Sequence, residues 1–138
     1  MANNVPTTGK QDLITKAMVT RAAAAIAMKL SFMLTAAGNA RDAYSATNET
    51  TATGYTAGGY TISGGTSGTS STKGYYDAAD VSAGTLTGSF QYADLYDNGN
   101  SPKQVFVTFD LGSQSPSGVS VTIQWPTPDS TNAMFRIA

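Results

Sequence analysis

The chain has no cysteine and no histidine. Without cysteine there is no disulfide framework, thiolate metal site or cysteine nucleophile, and without histidine the commonest proton shuttle and metal ligand is missing. Charge is also scarce, since 8 Lys and Arg stand against 9 Asp and Glu among 138 residues. Because no positive excess exists to hold a phosphate backbone, the composition predicts no nucleic-acid partner.

Long hydrophobic runs are lacking as well. The most apolar stretch, Ala22 to Met28, lies between Arg21 and Lys29. It is far shorter than the roughly 18 to 20 residues that span a bilayer. A signal peptide would carry its charge at the extreme N-terminus, whereas here 20 mostly polar residues come first. We therefore expect neither a membrane partner nor secretion.

Hydroxyl-bearing and small residues are abundant. The chain contains 14 Ser, 20 Thr and 14 Gly, with 41% hydrophobic residues. This composition is typical of a folded, weakly charged domain, and the length fits one such domain. The many hydroxyls have no neighbouring general base, so they are poor nucleophiles. The sequence predicts a protein of structure or recognition rather than an enzyme, with no cofactor.

The N-terminal part carries a helix pattern. Thr8 with Gln11 three residues later forms a capping signal, and apolar residues then recur at helical spacing, which predicts a helix over residues 10–26. Its stripe is thin, so Ile14, Met18 and Ile26 are candidate contacts with a partner rather than core. Residues 1–27 are predicted to form an N-terminal arm and helix.

The remaining residues, 28–138, are predicted to form one β domain. Apolar and polar residues alternate in several short segments separated by Gly, Asn and Pro turns, which is typical of antiparallel sheets. The predicted strands are 28–35, 55–63, 75–81, 85–96, 105–111, 119–125 and 133–137, with long loops at 36–52 and 64–73. The predicted fold class is mainly β, an antiparallel β-sandwich or jelly roll with one N-terminal α-helix. The candidate core residues are Leu30, Phe32, Phe90, Trp125, Phe135 and Ile137.

Four aspartates come nearest to a catalytic or metal site. Asp77 and Asp80 flank one predicted strand, and Asp94 and Asp97 flank another. Paired carboxylates serve sugar hydrolysis or Ca²⁺ binding, but such residues are also common at strand ends. The segment after Asp97 lacks the later bidentate Glu of a calcium loop, because Glu49 is the only glutamate. We predict structural turns, with no catalytic residue and no metal ligand.

The segment GYTAGG, residues 54–59, is glycine-rich without being a phosphate loop. No Lys-Ser/Thr pair and no helix pattern follow it, so a strand with a bulge is the better prediction. The segments SATNETTATGYTAGGYTISG (45–64) and VTIQWPTPDSTNAMFRIA (121–138) resemble a family of small virion proteins encoded in the head-gene regions of tailed bacteriophages. The glycine- and serine-rich segment 64–73 departs from that family's pattern.

The resemblance implies a capsid cement or decoration protein with a jelly-roll-like fold. It also implies binding to the outer surface of the major capsid protein, with pairing as a homodimer. The protein would then be found on the virion, and in the host cytoplasm during assembly. A tail-fibre or receptor-recognition module that binds host surface glycans through exposed Tyr and Asp is the alternative. A glycan hydrolase would need two buried, convergent carboxylates.

Overall fold

The computed structural model describes residues 28–35, 43–99, 101–129 and 131–137. These residues form antiparallel β-strands and one 3-10 turn, Ala46–Asn48. The strands are β1 Met28–Met33, β2 Tyr60–Thr61, β3 Thr66–Ser70, β4 Lys73–Asp77, β5 Val81–Thr87, β6 Phe90–Asp97, β7 Val105–Gln114, β8 Ser117–Ile123 and β9 Phe135–Ile137.

The predicted fold class is wrong as stated. Its mainly β, antiparallel character agrees with the structure, but the described part of the chain contains no α-helix. The strands there fall into sheets of four, three and two strands. The arrangement of these sheets as a β-sandwich stays a prediction. The helix predicted over 10–26, with Ile14, Met18 and Ile26, lies outside the described residues.

The β-strands belong to two compact units. The first unit contains Ile26–Ile62 and Val81–Ile123, and the second contains Ser63–Asp80 and Gln124–Ala138. Each unit is discontinuous in sequence. The single β domain expected over residues 28–138 stays a prediction.

The four-stranded sheet of the first unit has the order β2-β1-β6-β7. β1 and β6 lie at its centre, and every residue of both strands is buried or partly buried. The rings of Phe32 and Phe90 stack with centroids 4.5 Å apart, and Leu30 of the same strand as Phe32 is fully buried. Burying such side chains is the main source of stability for a sheet of this size.

The two-stranded sheet of the first unit pairs β5 with β8. Val81, Ala83 and Leu86 of β5 are buried, whereas the residues of β8 are exposed or only partly buried. The single strand predicted over 85–96 is wrong, because it spans the end of β5 and most of β6. Gly88 separates them, because its N–H donates to Pro116 O and a side chain at this position would collide with Ala52.

The three-stranded sheet of the second unit has the order β3-β4-β9. It contains β3 where a long loop, 64–73, was predicted, so that prediction is also wrong. β3 forms because backbone pairing with β4 needs no apolar side chains. Gly68 lies opposite Tyr75. The Tyr75 ring occupies the space that a side chain at position 68 would need.

Candidate functional site

Glu49 is the centre of the most elaborate polar cluster in the first unit. Only 7% of this residue is exposed, yet it is a carboxylate. Tyr44 Oη donates to Oε2 at 2.7 Å, and Tyr55 Oη and the Gly58 N–H donate to Oε1 at 2.5 and 2.7 Å. Three donors therefore replace the water that burial removes, which is what a buried carboxylate requires.

The same cluster ties the GYTAGG segment to β1. Glu49 forms a bridge with Met33, and Thr50 N–H donates to Phe32 O at 2.9 Å. The Phe32 N–H in turn donates to Tyr55 Oη at 3.1 Å, so a chain of hydrogen bonds runs from the strand through Tyr55 to Glu49. Such a network of satisfied hydrogen bonds makes the loop more rigid.

Tyr96 of β6 completes the cluster. Its hydroxyl donates to Gly58 O at 2.6 Å, so Gly58 is held through both its N–H and its carbonyl. The ring of Tyr96 stacks on Tyr44 with centroids 4.3 Å apart, and Lys103 Nζ lies 5.7 Å from the centroid of the Tyr44 ring. We call Tyr44, Glu49, Tyr55, Gly58 and Tyr96 the Glu49 cluster.

The tyrosines of the cluster are held in their neutral form. Burial, followed by the hydrogen bond to Glu49, raises the pKa of Tyr44 and of Tyr55 well above the usual range. Burial and the nearby negative charge of Glu49 raise the pKa of Tyr96 to about 12. A tyrosine hydroxyl can donate a hydrogen bond only while it is protonated. The raised pKa values of Tyr44 and Tyr55 therefore keep both hydroxyls available as donors to the Glu49 carboxylate.

The GYTAGG segment was predicted to be part of a strand over 55–63, and this is wrong for most of its length. It forms turns, and only Tyr60–Thr61 is strand. Gly59 explains why glycine stands here: its φ is +75°, and a side chain would collide with Leu30 O and the β1 backbone. The GYTAGG segment is therefore held against the central strands by contacts within the chain.

The four aspartates do not form a catalytic pair in either unit. Asp94 and Asp97 are buried, but three residues apart in a regular strand they project from opposite faces of β6. Asp94 accepts from Thr108 Oγ1 at 2.7 Å, and Asp97 accepts from the Gly99 N–H at 2.9 Å.

Asp77 and Asp80 belong to the second unit. Asp80 is exposed and accepts from the Trp125 N–H at 2.9 Å, as a turn residue does. Asp77 has one buried oxygen without a hydrogen-bond partner. Among the described residues, no group of three or more carboxylates is arranged to hold a metal ion.

The candidate core residues have different positions. Leu30, Phe32 and Phe90 are buried. Trp125 is only partly buried, and its indole N–H donates to Ala79 O at 3.2 Å. Phe135 and Ile137 lie in β9, paired in register with Tyr76 and Gly74 of β4, and their burial stays a prediction.

A groove of about 410 Å³ runs beside β8 in the first unit. None of its lining residues is charged: Phe90, Gln114, Ser115, Pro116, Val119, Ser120, Val121 and Thr122. Four consecutive residues of β8 belong to this lining. Val119, 52% exposed, is one of two exposed large hydrophobic residues among the described positions, and Leu34 is the other.

A second surface feature combines an aromatic ring, an amide and a carboxylate. Gln91 Nε2 donates to Tyr92 Oη at 2.9 Å and to Asp110 Oδ1 at 3.5 Å. Tyr92 is partly exposed and Asp110 is exposed. Such a combination can stack on a sugar ring and accept its hydroxyl hydrogens.

Comparisons with known proteins give no relative: no family model, no curated protein and no solved structure matches the chain. Within residues 28–35, 43–99, 101–129 and 131–137, no helix is long and apolar enough to cross a membrane.

Proposed function

We propose that this protein is a non-enzymatic structural protein of a tailed-phage virion that binds the outer surface of the capsid and stabilises the shell. The observation that supports it is the Glu49 cluster. One of the two segments on which the phage resemblance depends, 45–64, makes internal contacts: both oxygens of the Glu49 carboxylate accept hydrogen bonds from the same chain. A motif of this kind serves rigidity rather than chemistry.

The partners in this proposal are the major capsid protein and a second copy of the chain. Charged residues are few and balanced, with a net charge of −1. Attachment would therefore depend on apolar burial, strand-edge hydrogen bonds and shape. The protein would be on the capsid surface of the virion, and in the host cytoplasm during assembly.

The position of the protein on the particle tests this function. Cryo-electron microscopy of purified virions should show density for this protein on the shell, in contact with the major capsid protein. Particles stripped of the protein and then incubated with it again should regain that density. Density on the tail, or absence of the protein from the particle, would contradict the proposal.

Recognition of host surface glycans is the second candidate. The partly exposed arrangement of Gln91, Tyr92 and Asp110 is the observation that favours it. The purified protein would then bind host-cell surface polysaccharide, and Tyr92→Ala would abolish binding because the stacking ring is lost. Tyr75→Ala, at another partly exposed tyrosine, is the matched control, and equal binding by all three proteins would exclude this surface as the glycan site.

A further inference from the structure

The connection between β6 and β7 contains an asparagine followed by glycine, Asn98 and Gly99. No other asparagine in the sequence is followed by glycine. β6 ends at Asp97 and β7 begins at Val105, so both residues lie just outside regular structure. Asn98 is only partly buried and Gly99 is exposed, which gives water access to this turn.

An asparagine in this position can lose its side-chain amide by hydrolysis, without an enzyme. The nitrogen of the following glycine gives up its proton and attacks the asparagine Cγ. A new C–N bond forms, the Cγ–Nδ2 bond breaks, and ammonia leaves a succinimide ring. Water then opens the ring at Cγ to give aspartate, or at the backbone carbonyl carbon to give isoaspartate. One water is consumed, one ammonia is released, and no electrons are transferred. Glycine favours the attack because it has no side chain to obstruct the ring.

The attacking nitrogen is hydrogen-bonded in the folded chain. The Gly99 N–H donates to Asp97 Oδ1 at 2.9 Å, and Asp97 is fully buried. Asp97 is itself held at the end of a central strand, because it pairs with Met28 of β1 and its N–H donates to Gln104 O at 2.9 Å. The hydrogen bond stabilises the proton on the Gly99 nitrogen, and the adjacent negative charge disfavours an anionic nitrogen. Both effects oppose the first step of the reaction.

We propose that Asn98 is a latent modification site of this chain, which loses its side-chain amide when the Gly99 N–H is released from Asp97. The solvent supplies the water, and opening of the turn at the end of β6 limits the rate. The product carries a new carboxylate beside Asp97, and isoaspartate also lengthens the main chain by one methylene group. Both changes oppose return to the original turn. Modification therefore traps the opened form, and this inference is independent of any role on a virion.

A short peptide with the same local sequence tests the effect of the fold. The peptide covers residues 95–103, so it contains Asp97, Asn98 and Gly99 but lacks the strand pairing. Chain and peptide are incubated in the same mildly alkaline buffer, and mass spectrometry with an isoaspartate-specific methyltransferase assay follows the loss of the amide. The folded chain should react at least about tenfold more slowly than the peptide. Asn98→Gln, whose longer side chain disfavours the ring, should remove the signal. An equal or faster reaction in the folded chain would overturn the proposal.

Asp97→Ala tests the hydrogen bond itself. This variant should lose its Asn98 amide at least about fivefold faster than the unmodified chain. Asp110→Ala is the matched control, because Asp110 Oδ1 accepts from the Gly112 N–H at 2.9 Å in a second turn of the same spacing, and its Asn98 should keep the slow rate. Circular dichroism verifies that both variants are folded. Equal rates in the two variants would overturn the role of Asp97.

Hydrogen exchange in the unmodified chain tests the same bond without a substitution at the buried Asp97. Nuclear magnetic resonance should show the Gly99 amide exchanging at least about tenfold more slowly in the folded chain than in the peptide. Exchange at the peptide's rate would mean that the Gly99 N–H is not held by Asp97, and it would overturn the proposal even if Asp97→Ala fails to fold.

Discussion

At the scale of single residues, Glu49 and the hydroxyls around it contribute far more to the fold than their share of the composition suggests. A buried carboxylate is stable only when its hydrogen bonds are complete, and here they come from nearby residues 44, 55 and 58. The sequence shows Glu49 as the only glutamate in a threonine-rich segment. It does not show that two tyrosines and a glycine amide converge on it, because that depends on turns in the GYTAGG segment.

Removing one donor from Glu49 should be costly. Tyr55→Phe deletes the hydroxyl that donates to Glu49 and accepts from the Phe32 N–H, and we expect the free energy of unfolding to fall by about 2 to 3 kcal/mol. Tyr92→Phe removes a hydroxyl that accepts from the partly exposed Gln91 side chain, and it should change this free energy by less than about 0.5 kcal/mol. Urea denaturation measures both. Equal losses in the two variants would show that the Glu49 cluster is not a special source of stability.

Alkaline pH should lower the stability that the Glu49 cluster contributes to the fold. Because burial raises the folded-state pKa of Tyr44, Tyr55 and Tyr96, the folded chain holds these protons more tightly than the unfolded chain. Their contribution is complete below about pH 10, the ordinary tyrosine pKa, and is lost as pH rises above it. Urea midpoints measured from pH 8 to about 12 should therefore fall above about pH 10, and less steeply in Tyr55→Phe. A midpoint independent of pH in this range would contradict the proposed electrostatics.

At the scale of secondary-structure elements, apolar alternation predicts the central strands well. β1 and β6 contain the alternating residues on which their prediction depended, and Leu30, Phe32 and Phe90 are buried. β3 could not be predicted in this way, since its Ser, Thr and Gly carry no apolar pattern and pairing with β4 is what orders it. The turns of GYTAGG were missed because aromatic residues and threonine favour strands locally, whereas contacts with Glu49 decide the outcome.

The close approach of the GYTAGG turn to β1 can be tested with glycine substitutions. Gly59 and Gly84 both have positive φ, but a side chain at Gly59 meets Leu30 O, whereas nothing lies within 4 Å of one at Gly84. Both substitutions to Ala incur backbone strain, and Gly59→Ala also forces the turn away from the strand. We expect Gly59→Ala to lower the free energy of unfolding by at least about 2 kcal/mol more than Gly84→Ala. Similar effects would mean that the turn does not lie against β1 as described.

At the scale of the whole molecule, the sequence predicts a β-rich, weakly charged protein, and the described residues agree. The proposed function rests on that composition, on the resemblance to small virion proteins and on the internal use of the Glu49 cluster. A protein attached to a shell with so few charges should be held by contacts that salt does not screen. Chaotropes, which solvate apolar and peptide groups, should weaken those contacts.

The most direct measurement is the rupture temperature of purified virions before and after selective removal of this protein. Virions should retain it in about 1 M NaCl, where the screening length falls to about 3 Å, and lose it in moderate urea before the main shell dissolves. Because a protein that binds only the assembled lattice stabilises it by mass action, stripped particles should rupture at a lower temperature, and adding the protein back should restore the original value. Release by salt alone would contradict the proposed mode of attachment, and an unchanged rupture temperature after complete removal would contradict the cement function.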